Sequence, residues 1–186
     1  MPHSQYLIIG SSHAALEAIQ AIRMQDPDGS ITLITRDPHL PYSPTVLPYV
    51  VSGRSGADTI SLRDQRYFEE QNIQFIPGRQ LTAIAADQNE ITLDNGERWQ
   101  FDKLLLATGA KPIIPPIPGL DQTRFQVLRT LDDAVALREA SGQAKKALVL
   151  GAGLVGMHGA ENLAKAGLAV TVIEMHSQVL PGYFDP

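Results

Sequence analysis

Apolar residues fall into two repeating patterns along the chain. Residues 6–9, Tyr-Leu-Ile-Ile, make a short unbroken run that predicts a buried strand. From 13 to 25 apolar side chains recur at helical spacing through Ala15, Ile19 and Ile22, and Asp-Pro-Asp-Gly-Ser at 26–30 ends that helix. A second buried strand, Ile-Thr-Leu-Ile-Thr, follows at 31–35. Strand, helix and strand within about 30 residues predict a βαβ unit on a parallel sheet. A proline-rich loop then occupies 37–54, and a helix over 62–71 leads to a short strand, Ile-Gln-Phe-Ile.

The pattern changes at 80–101, where short alternating segments are separated by Asp-Gln-Asn-Glu and Asp-Asn-Gly-Glu turns. That arrangement predicts an antiparallel meander. Lys-Leu-Leu-Leu-Ala-Thr-Gly at 103–109 returns to a buried strand, and Lys-Pro-Ile-Ile-Pro-Pro-Ile-Pro-Gly at 111–119 reads as an extended connector. A helix around 131–140, a strand at 146–151, a helix at 154–166 and a strand at 169–174 make a second βαβ unit. The fold class is therefore α/β, with one unit over 1–112 and another over 113–186.

Composition narrows the function classes. An apolar fraction of 44% and a charged fraction of 19% are ordinary for a globular protein. A formal charge of −5 gives no basic footprint for nucleic acid or an anionic membrane. The sequence has no cysteine, which removes disulfides, thiolate metal sites, iron–sulfur ligation and a redox dithiol within the chain; no metal site is expected. The first apolar run is too short for a signal core or a membrane span, so the expected location is the cytoplasm. The 13 prolines cluster at 38–48 and 112–118, as punctuation.

Candidate chemistry lies at two glycine turns. Gly151, Gly153 and Gly156 complete G-x-G-x-x-G directly after a strand, with Leu154 and Val155 opening the helix. The first glycine permits the tight turn, the second lets backbone approach a pyrophosphate, and the third lets helix and strand pack closely. The helix N-terminus supplies N–H groups to phosphate. Glu174 ends the next strand about 20 residues on, where a carboxylate accepts hydrogen bonds from an adenosine ribose and favours NAD over NADP. A protonated His176 would soften that preference.

The first turn carries Gly10, Ser12 and Ala15 at the three motif positions. Here His13 either contacts phosphate or caps the helix. The residue after the strand is Arg36, with Asp37 next: either Asp37 takes the ribose, or Arg36 touches phosphate or adenine. Two nucleotide turns imply two dinucleotides, a flavin in the first and a nicotinamide in the second.

These motifs, in this order, resemble the FAD-dependent pyridine nucleotide–disulfide oxidoreductase superfamily. The resemblance covers nearly the whole chain: the first turn with ITLITRDPHLPYSP, the meander closing in LLLATGAKP, FQVLRTLDDA, and the second turn through Glu174 to LPGYFD. The branch it is most similar to contains NADH-dependent ferredoxin and rubredoxin reductases, coenzyme A-disulfide reductases and NADH oxidases. The resemblance implies a Rossmann-like FAD-binding unit with an antiparallel meander, followed by the first half of a Rossmann-like NAD-binding unit. It implies that Gly10, Ser12, His13, Ala14 and Ala15 bind the FAD pyrophosphate and that Leu81 lies by the adenine. It also implies that Ala107, Thr108 and Gly109 pass close to the flavin nucleotide, and that Pro44, Thr45 and Leu47 lie beside the isoalloxazine. Arg129 sits near the cofactor or in an exposed salt bridge. Tyr42, Tyr49 and Trp99 either border the flavin or pack.

Three departures qualify what is carried over. Disulfide-reducing members place a redox cysteine where Thr45 stands, and a hydroxyl forms no mixed disulfide. Glutamate is usual in the family where this chain has His158, which either tunes hydride transfer or packs as a neutral imidazole. Members also continue through the rest of the NAD domain, a Gly-Asp motif and a C-terminal interface domain, so the C-terminal part of the usual fold is missing. A parallel sheet stopped after one βαβ unit leaves an open apolar edge; either these residues belong to a longer protein or another chain supplies the rest. The implied function moves electrons between NADH and a one-electron carrier such as ferredoxin, rubredoxin or an iron–sulfur subunit, in a homo-oligomer or a complex. The loop SSHA…PYSPTVLPYVVSG is similar to flavin subunits of phenylglyoxylate-type 2-oxoacid oxidoreductases. The rival readings are a non-catalytic nucleotide-binding subunit and an NADH oxidase that uses oxygen.

Overall fold

The computed structural model describes residues 1–185. The backbone falls into two compact units. The first comprises Met1–Ser43 with Ser61–Ala110, and the second comprises Pro44–Ile60 with the chain from Lys111 onward. The proline-rich segment 44–60 therefore lies inside the first unit in sequence and packs with the second.

The first unit is built on a six-stranded sheet. Strand β1 (His3–Ile9), helix α1 (His13–Gln25) and strand β2 (Ile31–Thr35) form the βαβ unit expected from the hydrophobic pattern. Helix α2 (Leu47–Val51) belongs to the second unit and is described below. Helix α3 (Gln65–Glu70) starts at the N-cap Asp64, whose carboxylate accepts the Tyr67 amide at 3.0 Å, and leads to β3 (Ile73–Pro77). Strands β4 (Leu81–Ala85), β5 (Glu90–Leu93) and β6 (Arg98–Leu106) complete a sheet ordered β3-β2-β1-β6-β5-β4.

Strand β6 joins the two halves of that sheet. It pairs antiparallel with β5 (Ile91 opposite Trp99) and parallel with β1 (Leu7 opposite Leu104). The sequence pattern divides this stretch into the end of a meander and a separate buried strand; the structure makes it one strand. Leu105 and Leu106 are 38% and 51% exposed, so this end is held by backbone pairing with β1 more than by side-chain burial.

Alternation along β1 separates two cores. Ile8 points to a cluster with Ala15, Leu16, Ile19, Leu33 and Phe68, and Phe68 stacks on Phe75 with centroids 4.5 Å apart. Leu7 and Ile9 point to the other face, against Ile34, Ile91, Leu93, Trp99 and Phe101. Trp99 is thus a core residue.

In the second unit α2 packs on α4 (Leu131–Gln143) and α5 (Leu154–Lys165). A capping box starts α4: the Thr130 hydroxyl accepts the Asp133 amide, and the Asp133 carboxylate accepts the Thr130 amide at 2.8 Å. Strands β7 (Lys146–Leu150) and β8 (Ala169–Ile173) pair in parallel, with α5 between them in sequence. Leu148, Leu150 and Ile173 are about half exposed on this two-stranded sheet.

Candidate functional site

The second glycine turn is anchored to the strand beside it. Gly151 holds φ +96°, a left-handed conformation that glycine adopts without penalty, and its amide donates to the Ile173 carbonyl at 2.8 Å. Helix α5 then starts so close to the turn that a Cβ on Gly156 would stand 2.0 Å from the Gly151 carbonyl oxygen. Gly153 is different. Its φ of −75° suits any residue, and a Cβ there would meet nothing within 4 Å. The fold needs glycine at 151 and 156. At 153 the missing side chain leaves open space in front of the helix.

That space faces donors. Gly153 caps α5 with no side chain, and the amides of Gly153, Leu154, Val155 and Gly156 have no acceptor among the described residues. Gly153, Leu154 and Val155 are exposed, behind a half-buried Gly151 and a buried Ala152. Unpaired N–H groups, the positive end of the helix dipole and a cradle free of side chains fit the pyrophosphate of a dinucleotide.

Glu174 stands at the end of β8 with both carboxylate oxygens on backbone amides. One accepts Ala152 N–H at 2.7 Å; the other accepts Met175 and His176 N–H at 2.8 and 3.1 Å. The Ala152 amide, followed by that of His176, holds the carboxyl below the usual glutamate range. The side chain therefore ties the glycine turn to the strand end in addition to presenting charge there. The oxygen that accepts Ala152 keeps a lone pair for a further donor, whereas the other already accepts two amides. His176 contributes through its amide.

The first turn has the same backbone and different side chains. Gly10 takes φ +109°, donates to the Ile34 carbonyl at 2.8 Å, and lies so close to β6 that a Cβ would sit 2.1 Å from the Ala107 carbonyl oxygen. This contact brings Gly10 and Ala107 together from opposite ends of the first unit's sequence. Ser12 caps α1, but its hydroxyl donates to the Tyr42 carbonyl at 3.3 Å and not to the helix. The His13 ring lies 2.9 Å from the Ser43 hydroxyl, so it does not cap the helix either. The amides of Ser12, His13 and Ala14 have no acceptor among the described residues. Ala14 is exposed and Ala15 is fully buried.

Asp37 is engaged by its own loop. One carboxylate oxygen accepts the His39 amide at 3.1 Å, and the other accepts the Tyr42 hydroxyl. Arg36 is exposed. Leu81 opens β4, half-buried against the second core cluster, while Thr108 and Gly109 are exposed beyond the end of β6.

The remaining candidates lie in the second unit. Pro44 and Thr45 form a short 3-10 turn on which Thr45 is exposed, and Leu47 is fully buried in α2. Arg129 is half-buried ahead of α4, its amide donating to Asp133 at 3.0 Å. His158 packs edge-on against Tyr49, with ring centroids 5.0 Å apart, and Arg54 lies 4.8 Å over the Tyr49 ring. Two residues escaped the sequence reading. Asn162 is fully buried in α5 and accepts the Ser52 hydroxyl at 2.8 Å. A polar residue on the apolar face of an otherwise amphipathic helix is the signal that would have found it.

Among the described residues no helix is long and apolar enough to cross a membrane. The family model for pyridine nucleotide-disulphide oxidoreductases matches residues 4–186. The chain is 60% identical over 183 residues to NADH-dependent phenylglyoxylate dehydrogenase subunit epsilon of Aromatoleum evansii, covering 98% of this chain and 44% of that protein. It is 38% identical to an NADH oxidase of Methanocaldococcus jannaschii, covering 97% of this chain and 42% of the relative. The fold superposes on the ferredoxin reductase for the CYP199A2 system of Rhodopseudomonas palustris with TM-score 0.89 and 28% identity, over 98% of this chain and 45% of that one. The chain thus spans less than half the length of the relatives it matches. With two strand–glycine turn–helix modules and a family match over nearly all of its length, the chain belongs to the pyridine nucleotide-disulphide oxidoreductase family.

Proposed function

We propose that this chain carries the FAD site and the nicotinamide nucleotide site of an NADH-dependent flavin oxidoreductase. The observation that carries the reading is Gly153: the fold does not require glycine there, while a phosphate approaching the open α5 amides does. Under this reading residues 1–112 supply the FAD unit and 113–186 the nicotinamide unit. Gly10, Ser12, His13, Ala14 and Ala15 hold the FAD pyrophosphate at the α1 amides, with Arg36 or Asp37 at its adenosine end. Leu81, Ala107, Thr108, Gly109 and Arg129 also border that cofactor, and Pro44, Thr45 and Leu47 lie beside its ring.

NADH is held by the amides of Gly151, Gly153, Leu154, Val155 and Gly156. Glu174, fixed as an anion by the Ala152 amide, accepts from the ribose and disfavours a 2′-phosphate. FAD held at the first turn would supply the redox chemistry, a two-electron reduction by hydride that leaves NADH oxidised to NAD⁺. The protein's part is orientation, and no side-chain acid or base is required.

Thr45 and the absence of cysteine leave no thiol in these 186 residues to relay electrons. That favours a one-electron acceptor: a ferredoxin, a rubredoxin or an iron–sulfur subunit, in a complex or a homo-oligomer. The phenylglyoxylate dehydrogenase subunit and the ferredoxin reductase support this by name. The M. jannaschii relative supports a second reading, in which oxygen is the acceptor.

The test is the visible spectrum of the purified protein before and after anaerobic NADH. A flavin band bleached by NADH, and far less by NADPH, is expected; flavin that NADH leaves oxidised would overturn the reading. Comparing turnover in air with turnover on an added iron–sulfur carrier separates the two acceptors.

A further inference from the structure

The proline-rich segment leaves the first unit at Ser43, packs with the second, and returns at Ser61. Its core is α2, which buries Leu47, Pro48, Val50 and Val51. An apolar contact of this kind tolerates sliding; a buried polar contact does not, because a shift strands its donors and acceptors.

One such contact sits at the C-terminal end of α2. The Ser52 hydroxyl lies 2.8 Å from Asn162 Oδ1 and 3.2 Å from the Tyr49 carbonyl, and its single proton favours the shorter bond. Asn162 Nδ2 donates to the His158 carbonyl at 2.9 Å, one turn back along α5. Asn162 has no exposed surface. The His158 ring meets Tyr49 one turn away from this bond. Nothing in α5 itself calls for asparagine at a buried position; an apolar residue would serve the helix better.

We propose that Asn162, acting through Ser52, is a positioning residue: it clamps segment 44–60 in one register on the helix whose first amides hold the nicotinamide nucleotide. This rests on the reading above, in which NADH docks at α5 and Pro44, Thr45 and Leu47 lie beside the flavin. Under that reading the segment borders the flavin and α5 holds the nucleotide, so the register of one on the other within the second unit is part of what sets the donor–acceptor geometry. Misplacement by about 1 Å costs roughly a hundredfold in rate. The clamp touches neither the glycine turn nor Glu174, so it should govern rate and leave affinity alone.

The test compares Ser52→Ala, Ser52→Thr and Asn162→Leu in the full chain. In cofactor-free protein, amide hydrogen exchange across 47–52 should quicken about tenfold in Ser52→Ala, as for loss of one hydrogen bond, and return to the parental rate in Ser52→Thr. In flavin-loaded protein, stopped-flow bleaching by NADH should slow roughly tenfold to a hundredfold, with NAD⁺ affinity by calorimetry unchanged. Ser52→Ala keeps the test valid where Asn162→Leu does not fold. Parental exchange and parental bleaching in Ser52→Ala would overturn the clamp. So would a loss of rate matched by a loss of NAD⁺ affinity, or one that Ser52→Thr does not restore. A parental protein that NADH fails to bleach would sink the functional reading instead, and the exchange measurement would still decide whether the clamp exists.

Discussion

The two glycine turns share a backbone path and differ in what their residues are for. In both, the first position is a glycine with positive φ whose amide bonds the neighbouring strand: Gly10 to Ile34 and Gly151 to Ile173. At the second position Ser12 spends its hydroxyl on the Tyr42 carbonyl, whereas Gly153 touches nothing. At the third, α1 accommodates the fully buried methyl of Ala15, whereas α5 leaves no room for one at Gly156. A glycine motif is therefore a mixture of demands. The fold sets the first position in both turns and the third in one; at the second position of the α5 turn only something outside the chain requires glycine.

The comparison breaks most visibly at Gly10. Gly10→Val puts a branched side chain at φ +109° and 2.1 Å from the Ala107 oxygen, and should cost about 3–5 kcal/mol from strain and overpacking together. Urea denaturation of the first unit is the measurement; a loss below about 1 kcal/mol would mean the turn is looser than described.

Two alanine variants of the second turn then separate fold from ligand. Gly156→Ala should destabilise by about 1–3 kcal/mol, because its methyl meets backbone. Gly153→Ala should cost less than about 1 kcal/mol yet weaken NADH at least tenfold by titration, because its methyl occupies only the open cradle. Equal stability losses, or unchanged NADH affinity in Gly153→Ala, would erase the distinction drawn between the two positions.

The smallest effect is expected at Glu174. Its carboxyl is held below the usual range in the folded chain, so its stabilising bonds to Ala152, Met175 and His176 are fully present above the unfolded value, near 4.3. They are lost as pH falls through the lowered folded value. Glu174→Gln should flatten that acid limb of the stability profile and lower the neutral plateau by the small contribution of the ionised carboxylate. A parental acid limb in the variant would show that the tie to Ala152 does not form.

Much of this was legible from short-range pattern. Helix α1 and strand β2 occupy the residues that apolar spacing predicts, and the capping box explains the start of α4. What escaped depends on partners distant in sequence. The meander and the following strand merge into β6 because one backbone edge meets β5 and the other meets β1, and side-chain alternation is blind to which edge pairs. Helix α2 was hidden by Pro48, which the first turn of a helix tolerates since its amide would be unpaired there. The packing of that segment with the second unit is set at Asn162, 110 residues beyond Ser52. In the first site, Asp37 proved to have its carboxylate on His39 and Tyr42, a role that its position after β2 does not announce.

The pairing of β1 with β6 also has a consequence for synthesis. Leu7 finds its partner at Leu104, so during translation β1 has β2 on one side and a bare edge on the other for about 3–14 s at the usual 5–20 residues per second. The strand that ends at the first glycine turn is the earliest to emerge and among the last in its sheet to be closed. Gly10, which packs against Ala107, cannot adopt its final contact until that closure, so the nascent chain has no finished first site before the meander is made.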